Sequence, residues 1–234
     1  MRSVLNILLL MGAAVPALAQ NYSAYQITEQ SKPFNLVIES ENKSLNGGLL
    51  GGCHNGAAHE GVCWVEPSFN HTSSYVSFQF NTTRTICTVT NETGTFPYDC
   101  GTPAVNATIG KTGWLTWKLV LAAGSIPPYV DQAVSLINPL TSNIAQAEIS
   151  FISENAPELY VAFDNQQRMN IQSYLDDSLE PGSEYLASPR AYYRWVICHT
   201  SYSGYMYTAL AWVLGPGRPQ NPTCECVTVK RVWI

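Results

Sequence analysis

Residues 192–214 read YYRWVICHTSYSGYMYTALAWVL. Apolar and polar side chains alternate through YYRWVICHTS and again through YMYTALAWVL, with a Tyr-rich link, YSGYMY, near the middle. A period of two places alternate residues on opposite faces of an extended chain, so each half reads as a strand. The residue types agree, since β-branched and aromatic side chains fit a pleated, half-buried surface.

The same period recurs outward from this stretch. Phe34, Leu36 and Ile38 share one face, as do Val76, Phe78 and Phe80, and then Leu115, Trp117, Leu119 and Leu121. AEISFIS (147–153), ELYVAFD (158–164), RMNIQSYL (168–175) and VTVKRVWI (227–234) continue it. Breakers separate these runs: Asn46-Gly47-Gly48, Phe96-Pro97, Pro127-Pro128, Asn138-Pro139, Pro181-Gly182 and GPGRPQNP at 215–222. No stretch of about twelve residues or more holds a helical stripe. The pattern predicts an all-β chain of about ten strands, an antiparallel β-sandwich or a jelly-roll-like relative. Residues 20–234 are expected to form one domain, with a possible subdomain junction near 126–128.

The first nineteen residues have a different character. Arg2 precedes an almost wholly apolar run from Val4 to Ala14, and Ala17-Leu18-Ala19 is an A-x-A cleavage signal. The run is too short to cross a bilayer, so residues 1–19 read as a secretory signal peptide. No later segment approaches the roughly 20 apolar residues of a membrane helix, and VTVKRVWI is no lipid-anchor tail. Six N-x-[ST] sequons stand at Asn21, Asn42, Asn70, Asn81, Asn91 and Asn106, and suggest glycan-coated loops in the first half of an extracellular chain. Without Arg2 the chain has 11 basic against 17 acidic residues, a net charge of −6. No Lys/Arg cluster exists for phosphate backbones, which argues against nucleic-acid binding. A monomer is expected.

Seven cysteines are present, at 53, 63, 87, 100, 198, 224 and 226. An oxidising compartment favours disulfides, with one thiol left over. Short loops close most readily, which suggests Cys53–Cys63, Cys87–Cys100 and Cys198–Cys224. C-x-C places Cys224 and Cys226 on one face of a strand, so Cys226 is an alternative partner of Cys198.

CHNGAAHEGVC, 53–63, brings His54, His59 and Glu60 between two cysteines. HEGVC falls one residue short of the HExxH zinc motif, which needs histidines four apart on a helix. Gly51, Gly52, Gly56 and Gly61 oppose a helix there. The favoured reading is a hairpin with a turn at Asn55-Gly56, pinched by Cys53–Cys63. No metal or other cofactor is expected. There is no G-x-S-x-G nucleophile elbow, and His71 and His199 lie far from any serine context of a triad. Asp131, Glu148, Asp164, Asp176, Asp177 and Glu184 are carboxylates of the type a glycoside hydrolase pairs, at separations a sequence does not display.

The densest feature is aromatic: Tyr185, Tyr192, Tyr193, Trp195, Tyr202, Tyr205, Tyr207 and Trp212. Alternate rings would be the core of two adjacent strands. Exposed ones would stack on sugar faces. Tyr202, Tyr205, Tyr207 and Trp212, with Arg194 to stack or pair, are the candidate binding surface for polysaccharide or for wall or host glycans.

Phe34 and Leu36, CHNGAAHEGVCW (53–64), the Phe163-Asp164-Asn165 turn and YYRWVICHTSYSGYMYTALAWVLGPGRPQNPTC (192–224) together resemble a family of small secreted proteins of filamentous fungi that carry a domain of unknown function. The resemblance implies fungal secretion, an all-β fold and pairing of Cys198 with Cys224. Cys226 departs from that pattern. No catalytic residue follows from it. The expected role is that of a non-enzymatic, wall-associated or host-facing surface protein. A carbohydrate-binding module and a hydrolase with a carboxylate pair are the alternatives.

Overall fold

The computed structural model describes residues 21–56, 59–91, 94–100, 108–138, 142–151, 159–176, 184–202 and 204–234. The signal-peptide reading, Asp177 and the Asn106 sequon lie outside them. The strands are β1 (Asn21–Gln30), β2 (Phe34–Glu39), β3 (Leu49–Gly56), β4 (His59–Val65), β5 (Phe78–Asn91), β6 (Gly94–Asp99), β7 (Thr112–Val120), β8 (Tyr129–Ile137), β9 (Ile144–Phe151), β10 (Tyr160–Phe163), β11 (Met169–Asp176), β12 (Glu184–Tyr192), β13 (Trp195–Tyr202), β14 (Tyr205–Val213), β15 (Glu225–Cys226) and β16 (Thr228–Trp233). One 3₁₀ turn spans Ser74–Val76. The described residues hold no α-helix.

Sixteen strands are described against the expected ten, and β3 shows one physical reason. β3, LLGGCHNG, is buried on both faces along most of its length, so it lacks the alternation that marks a half-buried strand. Its glycines make room for rings. A Cβ on Gly52 would stand 2.8 Å from Trp117, and one on Gly51 2.8 Å from Tyr75.

Every pairing is antiparallel. Seven strands close on themselves in the order β5–β2–β3–β4–β9–β8–β7 and back to β5. The walls of this flattened ring pack face to face, as sandwich layers do. One core cluster holds Phe34, Leu36, Ile38, Leu50, Val62, Phe78, Leu115, Trp117 and Ile149 from the ring. It continues into Val161, Met169, Trp195, Ile197, Leu210, Trp212 and Val229 from strands packed beside it. Each large apolar side chain fully buried there contributes about 1.5–3 kcal/mol. Trp195 is 1% exposed and its indole N–H donates to the Met169 carbonyl at 2.9 Å, so its one polar atom is satisfied.

β5 is long because it serves two sheets. Residues 78–81 pair with β7 in the ring, and the rest runs out between β1 and β6. This outer sheet has little core of its own. Tyr25, Phe96 and Tyr98 are about half exposed, and the Cys87–Cys100 disulfide clamps it. Cys53–Cys63 and Cys198–Cys224 are also joined, and Cys226 is free and exposed.

Residues 126–128, where the sequence suggested a subdomain junction, connect β7 to β8. They lie in the loop of the β7–β8 hairpin, whose strands stay paired to Val120 and Tyr129, and Leu121 N–H reaches Pro128 O at 2.9 Å. Asn81, one of the sequon residues, is enclosed by the fold. It is 4% exposed, with Nδ2 donating to Thr116 Oγ1 at 2.9 Å and Oδ1 accepting from Gln30 Nε2 at 3.2 Å. The nitrogen a glycan needs is held inside the fold.

Candidate functional site

The ring branches at one point. β4 pairs with β9 at Glu60 and Gly61, and with β14 at Cys63, while β14 pairs with β9 from Ala211 onward. Three strands therefore meet around Gly61–Cys63, Ala209–Ala211 and Gln146–Glu148. A branch interrupts the ladder, and side chains rather than a continuous strand must cover it. Those side chains come from the two stretches that stood out in the sequence, the CHNGAAHEGVC hairpin and the YMY segment.

The hairpin forms, with Asn55 and Gly56 in β3 rather than in its turn. β3 and β4 pair from Leu49–Val65 to Gly56–His59, with a bulge between His54 and Gly56. The Cys53–Cys63 disulfide bridges the strands on the face that carries Ala209 and Tyr207. Tyr207 donates from its hydroxyl to the His54 carbonyl at 2.8 Å. Tyr205, two residues along the same face, stacks on Tyr207 with centroids 6.2 Å apart and ring planes 14° from parallel. The His54 ring meets Tyr205 edge to face at 5.5 Å. Tyr205 is 42% exposed and Tyr207 is half-buried. The result is an aromatic step on a stapled hairpin.

Acidic groups lie beside it. Glu148 is opposite Gly61, with 9% of its side chain exposed. Its Oε1 is 3.7 Å from His59 Nδ1, and its Oε2 is buried without a hydrogen-bond partner. Asn55, also buried, lies over Gly61 and leaves its Oδ1 unpaired. Glu60 projects from the other face of β4. Burial pushes its carboxyl up from the ordinary value, and the Gln132 hydrogen bond and the charges of His54 and His59 oppose the rise only in part. Successive residues point to opposite faces of a strand. Glu60, aligned with Ile149, and Glu148, aligned with Gly61, thus lie on opposite sides of the sheet and do not flank one substrate.

The remaining candidates separate. Trp212 is corrected from binding surface to core. It is 7% exposed and packs edge to face on Trp195 at 4.7 Å. Arg194 precedes β13, at the end of the β13–β14 hairpin opposite Tyr205. Seven residues at ~3.4 Å each put it roughly 24 Å from the aromatic step, where it covers the Tyr192 ring at 4.8 Å. The side chain of Tyr202 lies outside the described residues. Asp164 and Asp176 are each held by an arginine, Arg168 at 2.7 Å and Arg190 at 2.9 Å. Among the described residues no three His, Cys, Asp or Glu side chains gather closely enough to hold a metal ion.

A second polar centre caps the core. Asp164 is 2% exposed and accepts from the backbone N–H groups of Gln166 and Arg168, from Arg168 Nε and from the Tyr193 hydroxyl. Burial alone would raise its carboxyl. The Arg168 backbone and guanidinium, the Tyr193 hydroxyl and the Gln166 N–H outweigh that and hold it below the usual carboxylate range. Next to it Arg231 lies within 6.0 Å of the rings of Phe163, Trp233, Phe34 and Phe80, and hydrogen-bonds Gln167 Oε1. These contacts fasten the last strand to the 163–168 turn. An open cleft of about 1220 Å³ lies between residues 37–47 and 218–228. It holds the exposed thiol of Cys226 and mixed charges, but not the aromatic step.

Sequence reasoning read Asn55 as a turn residue and Glu60 as part of an incomplete zinc motif, and foresaw the burial of neither. Nothing local marks that burial, because it comes from β9 and β14, which arrive from elsewhere in the chain. No curated protein and no solved structure matches the chain. The buried positions that build the core, from Phe34 to Val229, fall within residues 31–233, which match the family model described as a domain of unknown function (DUF7907), and the chain belongs to that family.

Proposed function

We propose that this is a secreted, non-enzymatic protein that works by surface contact with wall or host glycans, through the step formed by Tyr205, Tyr207 and His54. One observation carries the reading. Two tyrosine rings stand near-parallel and partly exposed on a strand braced by a disulfide hairpin. Ring faces take up the apolar faces of sugars by dispersion and CH–π contact. A rigid strand loses little freedom on binding, which favours affinity. Three disulfides support an oxidising, extracellular setting. No helix among the described residues is long and apolar enough to cross a membrane.

The test is retention on insoluble chitin, β-glucan, mannan and cellulose. The wild-type chain is retained on at least one, and Tyr205→Ala, at an exposed position, is not. Passage of the wild-type chain through all four removes the reading.

A further inference from the structure

We infer that the glycan recognised at this step carries free amino groups, as an oligomer of glucosamine does. This inference rests on the carbohydrate reading above and adds its charge selectivity.

The argument is one of charge and of missing donors. β3, β4, β8, β9, β13 and β14, which build the branch point and its surroundings, contain no lysine and no arginine. Of their carboxylates, Glu148 lies on the face of the step, Glu60 on the opposite face, and Asp131 faces Lys118 across the β7–β8 ladder. Five basic residues lie on other strands, Arg84, Lys118, Arg190, Lys230 and Arg231, and the other described ones lie outside the strands. A negatively charged sugar would meet the Glu148 carboxylate here with no Lys or Arg from these strands to receive it, which costs affinity.

Glu148 sets the direction of the preference. Its carboxylate is nearly buried and one oxygen lacks a donor. A buried acceptor without a partner forgoes a hydrogen bond it had in water. Among the described residues, the ion-pair partner of Glu148 is His59, whose side chain is 52% exposed and stands at the solvent edge of the pair. Glu148 is aligned with Gly61, and Tyr207 packs on Cys63 two residues along β4. The carboxylate thus lies about 5–10 Å from the aromatic step, one to two strand spacings. A sugar ring on Tyr205 and Tyr207 brings its substituents to that edge. An ammonium group supplies N–H donors and the complementary charge, and its hydrogen bond to a carboxylate is stronger than that of a neutral hydroxyl. An N-acetylated sugar offers a neutral amide instead.

The test is calorimetric titration of the folded protein with soluble oligomers of glucosamine, N-acetylglucosamine and glucose, and with oligogalacturonate. Glucosamine oligomers are expected to bind about tenfold more tightly than the neutral ones, the difference one charge-assisted contact supplies, and oligogalacturonate not to bind. Glu148→Gln, near-isosteric, brings glucosamine down to the neutral level. His59→Lys, at an exposed position, does the same with the carboxylate in place. Glu66→Gln, exposed just beyond the other end of β4, leaves the preference intact and controls for bulk charge. Equal affinity for all uncharged and amino oligomers, or a preference that survives Glu148→Gln and His59→Lys or is lost equally in Glu66→Gln, overturns the amino-group inference while the carbohydrate reading stands. Wild-type protein that binds none of the oligomers and no insoluble glycan overturns both.

Discussion

The hydroxyl of Tyr207 donates a 2.8 Å hydrogen bond to the carbonyl oxygen of His54 across 153 residues of sequence. This contact locks the aromatic strand onto the stapled hairpin and sets the tilt of the ring that Tyr205 stacks on. Tyr207→Phe keeps the ring and removes the donor, leaving the His54 carbonyl short of a partner. A loss of about 1 kcal/mol is expected in urea unfolding, since a typical intramolecular hydrogen bond contributes ~0.5–1.5 kcal/mol. An unchanged midpoint would show that the contact carries no energy.

Gly61 is the floor of the branch point. A Cβ there would stand 2.7 Å from Asn55 Nδ2 and 2.9 Å from Cys53 Sγ. Gly61→Ala therefore forces the amide and the disulfide apart and destabilises the fold by roughly 1–3 kcal/mol, the usual cost of overpacking. Thermal unfolding measures it. A variant as stable as wild type contradicts the close packing described.

The Cys53–Cys63 bridge closes a short loop. Replacing both cysteines by serine removes a constraint of about 3 kcal/mol in the chain-entropy model and loosens the hairpin under Tyr207. Peptide mapping of the non-reduced protein should recover the 53–63, 87–100 and 198–224 pairs together with an alkylatable Cys226. Alkylation of Cys53 or Cys63 without reduction is the contrary result.

Asp164 gives the fold an acid limb. Its folded-state carboxyl titrates below the usual range, so the unfolded chain binds the proton first as pH falls. The stabilisation is complete above the unfolded value of about 3.9 and is lost as pH drops through the lower, folded value. Asp164→Asn loses the ion pair with Arg168, itself partly exposed, and is expected to cost roughly 2 kcal/mol at neutral pH. The gap to wild type closes below about pH 4. A gap that stays constant from pH 7 to pH 2.5 excludes the carboxylate as its source.

Glycan mapping separates the sequons. Asn42 and Asn70 turn their Oδ1 atoms to the N–H and hydroxyl of Ser44 and Thr72, at half-exposed and exposed positions. Both are compatible with a glycan on the folded chain. Asn81 has both ends of its amide engaged inside, so the native protein carries none there. Recovery of a glycopeptide at Asn81 from folded material contradicts that placement.

The all-β architecture, the two short-range cysteine pairs Cys53–Cys63 and Cys87–Cys100 and the aromatic density between 192 and 212 were legible from residue order. Each depends on local periodicity or short loop closure, and neighbouring residues report those directly. Residues 192–214 do form two paired strands, and 53–63 does form a pinched hairpin. The tertiary structure decided which rings face water. Tyr205 and Trp212 are seven residues apart and so point to opposite faces of β14, and it is the packing of Leu210 and Trp212 against Trp195 that makes the even-numbered face the core. It also decided that Glu148, Asn55 and His59 share a face with Tyr207, and that Asn81 is buried. Strand register across more than a hundred residues sets these outcomes. Register is fixed by the packing of all layers at once, and no local stretch of sequence encodes it.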